Sequence, residues 1–284
     1  MAARCFRFTR RSETRARDHE SRRLARRVLA VAGAAQIVSI VVWLAVTIAG
    51  LGDGWGALSD VDLTTSYLLD TGFGHVWLAR LALSLGLAGI LFAARSSLFE
   101  RNVPNCAAVI VSGLLLVVQA GAGHAAAAPD DLRAIVQAFY ALHVLGAAAW
   151  IGGLWPLLAT LASARNDAHQ DTLVCFVLGR FGLMASFAVA LVVVGGAVNA
   201  WPQLKQPSFS PGSLWSIMLT AKMLLFAMLL AIACLNRFRL GPRMASDPAG
   251  TKAQILRNVV LDQWLALAVL FAVAILGAVS PEGN

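Results

Sequence analysis

The sequence predicts an all-α fold: a polytopic bundle of about seven transmembrane helices, with a cytoplasmic N-terminus and a periplasmic C-terminus. Three observations lead to this prediction. Of the 284 residues, 58% are hydrophobic and only 13% are charged, whereas a soluble domain keeps about a quarter of its residues charged. Apolar runs of the roughly 20 residues that a spanning helix needs recur along the chain. Lysine and arginine are concentrated in every second loop, as the positive-inside rule requires.

Seven apolar runs are the predicted spans. Each is followed by a break made of turn-forming or charged residues, such as Gly52-Asp53-Gly54 after the first run. The fourth and fifth runs exceed the length needed to cross a bilayer, so we expect them to tilt or to project from it. The runs are 28–50, 74–94, 104–126, 133–162, 173–200, 213–236 and 256–279.

The first 27 residues are strongly basic. They hold ten arginines directly before the first apolar run, and such a block retains an N-terminus in the cytoplasm. A nucleic-acid-binding arm is the alternative for this segment, and the run at 28–50 is too long for a cleaved signal peptide. We therefore divide the chain into a basic cytoplasmic tail (1–27) and a transmembrane helical domain (28–284).

The loops fix the expected orientation. The predicted inner loops at 95–103, 163–172 and 237–255 all carry lysine or arginine, whereas Lys205 is the only such residue in the predicted outer segments. The segment 55–73 is too acidic to span a membrane and too apolar for an ordinary loop. We expect it to be a short interfacial stretch on the outer face.

Charged side chains inside the predicted spans are candidates for function, because each costs at least about 2.5–3.5 kcal/mol at the bilayer centre. Lys222 interrupts a long apolar run with a full charge, and Arg80 lies at a similar depth below the outer edge. For Arg80 and Arg180 the alternative role is snorkelling to the interface. For Asp262, near the inner edge, the structural alternative is an ion pair with Arg180 or Lys222.

Three histidines lie at or within the predicted membrane region. His75 begins the second span and His124 ends the third, both at the outer surface, whereas His143 lies about 15 Å into the fourth span. Neutral imidazole is the commonest metal ligand and suits copper. Because His124 and His143 differ in depth by roughly 10 Å, two stations on a path fit better than one site. A packed core histidine is the alternative for His143.

His143 shares its predicted helix face with Gly146, Trp150 and Gly153. Small residues let a neighbouring membrane helix approach closely. We therefore expect His143 to point into the bundle and not towards lipid.

Enzyme signatures and disulfide patterns are both absent from the sequence. It contains no P-loop, GxGxxG, HExxH or GxSxG motif, so the protein is not expected to be an enzyme. The four cysteines show no metal-binding spacing and are expected to stay reduced. Bis-histidine ligation of a b-type haem by His75, His124 and His143 remains the alternative, in a different functional class.

Several stretches resemble the CopD/PcoD family of copper-resistance inner-membrane proteins. The most specific is ALHVLGAAAWIGGLWPL, and together they cover nearly everything after residue 70. The others are TGFGHVWLARLAL, GHAAAA, RFGLMASFAVALVVVGGAVNAW, AKMLLFAMLLAIACLNRFRLGPRM and LRNVVLDQWLAL.

The resemblance implies copper transport or handling between periplasm and cytoplasm by a multi-pass inner-membrane protein in contact with membrane lipid. It implies a separate periplasmic CopC-type copper carrier as a partner and no role for nucleic acid. A related clan includes HemJ-type haem proteins, so a haem b redox protein is the alternative. The family residues transfer to His124, His143, Trp150, Gly152, Gly153, Asn199, Trp201, Lys222, Asn236 and Arg237.

The chain departs from the family pattern at two points. The family usually has an additional N-terminal helix, eight in total, where this chain has an arginine-rich tail. The last family helix usually carries glutamate where this chain has Asp262.

Overall fold

The computed structural model describes residues 2–95, 97–122, 128–164, 168–204 and 212–277. Every regular element in these residues is helical, and seven of the helices are long and apolar enough to cross a membrane. This confirms the predicted all-α fold and the predicted number of spans; the orientation of the termini stays a prediction. The spans are Arg22–Leu51, Gly72–Ala93, Asn102–Gly121, Asp130–Ser163, Gln170–Trp201, Leu214–Arg243 and Pro248–Leu276.

The chain divides into two compact units, of which the first covers residues 1–122. Within this unit, α3 packs against α1, α2 and α4. The elements are α1 (Ala2–Leu51), a 3-10 helix (Gly54–Ser59), α2 (Val61–Asp70), α3 (Gly72–Ala93), α4 (Asn102–Val118) and a second 3-10 helix (Gln119–Gly121).

Helix α1 runs without interruption through the arginine-rich segment into the first span. Two arginines attach it to the loop between α3 and α4. Arg22 forms an ion pair with Glu100 at 3.1 Å, and Arg26 donates a hydrogen bond to the Leu98 carbonyl at 3.2 Å. The basic segment is thus the beginning of the first helix in the structure.

The acidic, apolar segment 55–73 folds into the 3-10 helix, α2 and the first residues of α3. Side-chain caps start both helices: Asp60 caps α2, and Thr71 accepts a hydrogen bond from the Gly74 amide at 2.9 Å. A Cβ atom on Gly74 would lie 2.6 Å from the Leu68 Cα atom, so only glycine lets the first turn of α3 lie this close to the last turn of α2. The segment is therefore helical in the structure; its interfacial location on the outer face stays a prediction.

The second unit covers residues 123–284 and holds the deep candidate residues. In it α5 packs along α6, α7 packs along α9, and α9 also contacts α5. Its elements are α5 (Asp130–Ser163), α6 (Ala168–Leu204), α7 (Leu214–Cys234), a π-helical segment (Leu235–Leu240), α8 (Gly241–Arg243) and α9 (Pro248–Leu276).

Candidate functional site

His143 lies half-buried on α5 and is fixed by a hydrogen bond to the neighbouring helix. Its Nδ1 atom lies 2.8 Å from the Val192 carbonyl oxygen on α6. A carbonyl can only accept a hydrogen bond, so Nδ1 carries the hydrogen, and in the neutral ring the Nε2 atom keeps its lone pair. This is how metal-binding histidines are usually oriented: one nitrogen donates to a backbone carbonyl and the other is available to the metal.

Two consecutive glycines on α6 make room for the His143 side chain. A Cβ atom on Gly195 would lie 2.6 Å from the Phe139 carbonyl oxygen and 2.8 Å from the His143 Cβ atom; one on Gly196 would lie 3.2 Å from His143 Cε1. Both glycines lie in the stretch RFGLMASFAVALVVVGGAVNAW but were not among the predicted site residues. The pair of adjacent glycines in an otherwise β-branched run was the available signal.

The predicted glycine face of α5 is confirmed at two of its positions. A Cβ atom on Gly146 would lie 2.7 Å from the Ala188 carbonyl oxygen, and one on Gly153 would lie 3.0 Å from the Phe181 ring. Both glycines therefore let α6 approach α5 closely. Gly152 differs, since nothing lies within 4 Å of the position its Cβ would take.

Lys222 reaches the same region from α7. It is half-buried and close enough to His143 for the two side chains to interact electrostatically, and the described residues offer it no ion-pair partner. Asn199 donates a hydrogen bond to the Gly195 carbonyl at 2.7 Å within α6. Trp201, at the end of that helix, is 61% exposed. His143, Lys222 and the glycine pair are named the histidine site below.

Four other candidates from the sequence line a separate cavity in the same unit. Trp150, Asn236, Arg237 and Asp262 surround a space of about 430 Å³ bounded by α5, α6, α7, the π-helical segment and α9. The sequence treated these residues and His143 as one set. The structure divides them, because seven residues separate His143 from Trp150 on α5, a rise of about 10 Å.

Three of these four cavity residues contact neighbouring helices, each in a different way. The Asn258 side-chain amide donates to the Asn236 side-chain oxygen at 2.7 Å, joining α9 to the π-helical segment. The Arg237 guanidinium lies against Gly182, where a Cβ atom would collide with it. Trp150 is 3% exposed and stacks edge-on against Phe226 of α7, with ring centroids 6.1 Å apart.

Asp262 is 2% exposed, and its Oδ1 atom has no hydrogen-bond partner within the described part of the chain. The sequence offered an ion pair with Arg180 or Lys222 as its structural role. The ion pairs of the described residues include neither. Arg180 instead lies exposed, with its guanidinium 6.0 Å from the centre of the Phe176 ring.

The remaining candidates belong to the first unit or lie outside the described residues. His75 is exposed, and its Nε2 donates to the Leu69 carbonyl at 2.8 Å, which leaves the Nδ1 lone pair available in the neutral ring. His124 lies outside the described residues, so its predicted closeness to His75 stays a prediction. Arg80 lies over the Trp43 ring, 5.0 Å from its centre, a cation–π contact between α3 and α1.

Metal-ligand clusters can be assessed only within the described residues. Among these, no three or more histidine, cysteine or acidic side chains are grouped so that they could hold a metal ion. The histidine site therefore offers a single imidazole from this part of the chain.

Comparison with known proteins gives matches over most of the chain. The family model "Copper resistance protein D-like, N-terminal domain" matches residues 3–134, and the model "Copper resistance protein D" matches residues 175–276. The chain is 28% identical to "Inner membrane protein YebZ" of Escherichia coli over 86% of its own length and 81% of that protein. It is 27% identical to "Copper resistance protein D" of Pseudomonas syringae pv. tomato over 87% of its length and 79% of that protein. No solved structure matches the chain.

Proposed function

The chain belongs to the copper resistance protein D family, and on this premise we propose that it takes copper from the periplasm through histidine ligands inside its helical bundle. It is a multi-pass protein of the inner membrane, with seven helices able to cross a bilayer. Copper is the cargo in this proposal, and membrane lipid is the surrounding partner.

The orientation of the His143 ring is the main support for the proposal. Its hydrogen bond to the Val192 carbonyl fixes the ring, and the Nε2 lone pair is then the free end. Gly195 and Gly196 provide the space for the ring at a helix contact where bulkier residues would collide with α5. A packing residue does not need a fixed imidazole with an available nitrogen, whereas a copper ligand does.

Lys222 gives the histidine site its selectivity in this proposal. Its ammonium group has no ion-pair partner among the described residues and lies within electrostatic range of His143, so it raises the local potential and opposes free cations. An ion that exchanges directly between coordinating groups is opposed less, because the bond to the imidazole nitrogen offsets part of the repulsion. This favours a tightly held copper ion over sodium or potassium.

The outer surface is the proposed point of uptake. His75 and His124, expected at equal depth there, would receive copper before it reaches His143. A separate periplasmic CopC-type carrier is the proposed donor, and Asp70 or Asp130 would assist the transfer. Measuring copper transfer from the purified, copper-loaded carrier to the reconstituted protein tests this donor role.

Substitution of His143 tests the proposal. His143→Gln and His143→Ala remove the Nε2 lone pair, so we expect both variants to insert at normal levels and to lose the effect of the protein on cellular copper. Cellular copper and membrane protein level are measured separately. His169→Gln, at a histidine that the sequence puts in the cytoplasm, is the control and should behave like wild type.

Two other results would contradict the ligand role. Wild-type copper handling by well-inserted His143→Ala protein would make His143 a packing residue. A fall in protein level alone would mean that it holds helices together. The absorption spectrum of the purified protein tests the haem alternative, since a Soret band would indicate bound haem and a colourless protein with bound copper would support transport.

A further inference from the structure

The cavity at Asp262 is separate from the histidine site, and it is lined in part by exposed residues of two candidate membrane spans. It occupies about 430 Å³, within the usual range of small-molecule pockets. Among its lining residues, Ser186 on α6, Cys234 on α7 and Phe238 on the π-helical segment are exposed. These elements belong to spans, so the cavity opens between them towards the region that lipid occupies. A ligand can therefore enter from the membrane itself.

One polar group in the cavity lacks a partner. Asp262 is 2% exposed, lines the cavity, and its Oδ1 atom accepts no hydrogen bond from the described residues. A buried carboxyl oxygen without a donor has lost its hydrogen bonds to water without replacement, which is unfavourable. A ligand that brings a hydrogen-bond donor to this oxygen would remove that cost.

The π-helical segment offers hydrogen-bond donors, which need acceptor atoms from a ligand. Arg237 lines the cavity beside Gly182, and the described residues supply no carboxylate partner for its guanidinium. The Asn236 side-chain oxygen is occupied by Asn258, so its NH₂ group is the part available to a ligand. These groups donate hydrogen bonds and need acceptor oxygens. Isolated π-helical turns inside α-helices occur frequently at functional sites.

The walls between these polar groups are apolar and partly aromatic. Trp150, Phe181 and Leu154 are among them. Aromatic walls favour a flat ring, which can stack or meet them edge-on. Among the described residues, no group of three or more histidine, cysteine or acidic side chains lies in this cavity.

We propose that this cavity binds a membrane-soluble amphiphile of the quinol class, with an apolar tail and an aromatic ring that carries hydroxyl groups. A hydroxyl group donates to Asp262 while ring oxygens accept from Arg237 and Asn236. The ring lies against Trp150 and Phe181, and the tail leaves through the opening between α6 and α7. A phosphatidylcholine headgroup fits less well, since it offers no hydrogen-bond donor and its phosphate would bring negative charge towards Asp262. This inference does not depend on copper transport.

Binding of a short-chain ubiquinol tests the proposal. The full chain, purified into nanodiscs of synthetic phosphatidylcholine, is titrated anaerobically with decylubiquinol by calorimetry. We expect saturable one-to-one binding by wild type. Asp262→Leu should weaken binding about tenfold or more, the loss expected for a hydrogen bond to a charged group. Arg239→Gln, on the same segment but not lining the cavity, is the matched control and should bind like wild type.

A second variant keeps the test valid if Asp262→Leu does not fold. Gly179 lines the cavity, and nothing lies within 4 Å of its Cβ position. The Cβ atom of Gly179→Leu therefore meets no other atom, and the larger side chain at this lining position should occupy part of the cavity and abolish binding. Absence of saturable binding by wild type, or unchanged binding in the folded variants, would overturn the proposal. Saturable binding of phosphatidylglycerol with no binding of decylubiquinol would also overturn it and identify a lipid site.

Discussion

The environment of His143 depends on residues that have no chemistry of their own. Gly195 and Gly196 allow the imidazole and α6 to occupy adjacent space, and the Val192 carbonyl then fixes which nitrogen is free. The histidine was visible in the sequence as a deep polar residue. Its orientation was not, because it depends on the partner that tertiary packing brings to Nδ1.

Gly195→Ala should destabilise the protein. The added Cβ would lie 2.6 Å from the Phe139 carbonyl oxygen, a backbone atom that cannot rotate away, and overpacking of this kind costs about 1–3 kcal/mol. Gly152→Ala is the control, because its Cβ meets nothing within 4 Å. The free energy of unfolding, measured by titration with sodium dodecyl sulfate in mixed micelles, compares the two. Equal stability of both variants would show that α5 and α6 are not this close.

Lys222→Gln should reduce ion selectivity without preventing insertion. Removing the ammonium group removes the potential that opposes free cations near His143. The leakage of potassium and sodium ions into proteoliposomes should therefore rise severalfold. Lys222→Arg keeps the charge, so its leakage should remain at the wild-type level. Leakage that stays at the wild-type level in Lys222→Gln would refute the proposed role of this charge.

At the scale of elements, α9 differs from an ordinary apolar span. Its buried face carries Lys252, Asn258, Asp262 and Gln263. Lys252 lies near the start of α9 and forms an ion pair with Asp171, with its Nζ atom 3.7 Å from Oδ1. The helix is thus the inner element against which α5 and α7 pack, and these polar residues are buried against other helices.

Asn258→Ala should weaken the connection between α9 and the π-helical segment. It removes the 2.7 Å hydrogen bond to Asn236, and such bonds between membrane helices contribute about 0.6–1.7 kcal/mol. The same micelle titration measures the loss. Asn102→Ala, at the exposed start of α4, should leave stability unchanged; an equal loss in both would refute a specific interhelical contribution.

At the scale of the whole molecule, we predict a cytoplasmic N-terminus and a periplasmic C-terminus, which agrees with the odd number of candidate spans in the described residues. A reporter fused after Ala245 should be cytoplasmic and one fused after Asn284 periplasmic, because the arginine-bearing loops alternate in that sense. Alkaline phosphatase and green fluorescent protein fusions measure the two locations. A periplasmic reporter at Ala245 would contradict the predicted orientation.

The sequence alone determined the number of spans, the helical fold and the family. The number of spans and the helical fold depend on quantities that are additive along the chain: about 20 apolar residues cross a bilayer, and each exposed charge keeps its loop out of it. The family was indicated by short motifs such as ALHVLGAAAWIGGLWPL. The sequence also selected His143, Lys222 and Asp262, because any ionisable side chain inside a span is costly wherever the helix packs.

Only the tertiary structure decided how these residues are grouped. Arg237 and Asp262 are on different helices, and no sequence pattern showed that they line one cavity with Trp150. The sequence allowed an ion pair for Asp262, yet the structure leaves Oδ1 without a partner among the described residues. The physical reason is that hydropathy reports whether a helix enters the membrane, whereas the partners of a side chain depend on how each helix is rotated against its neighbours.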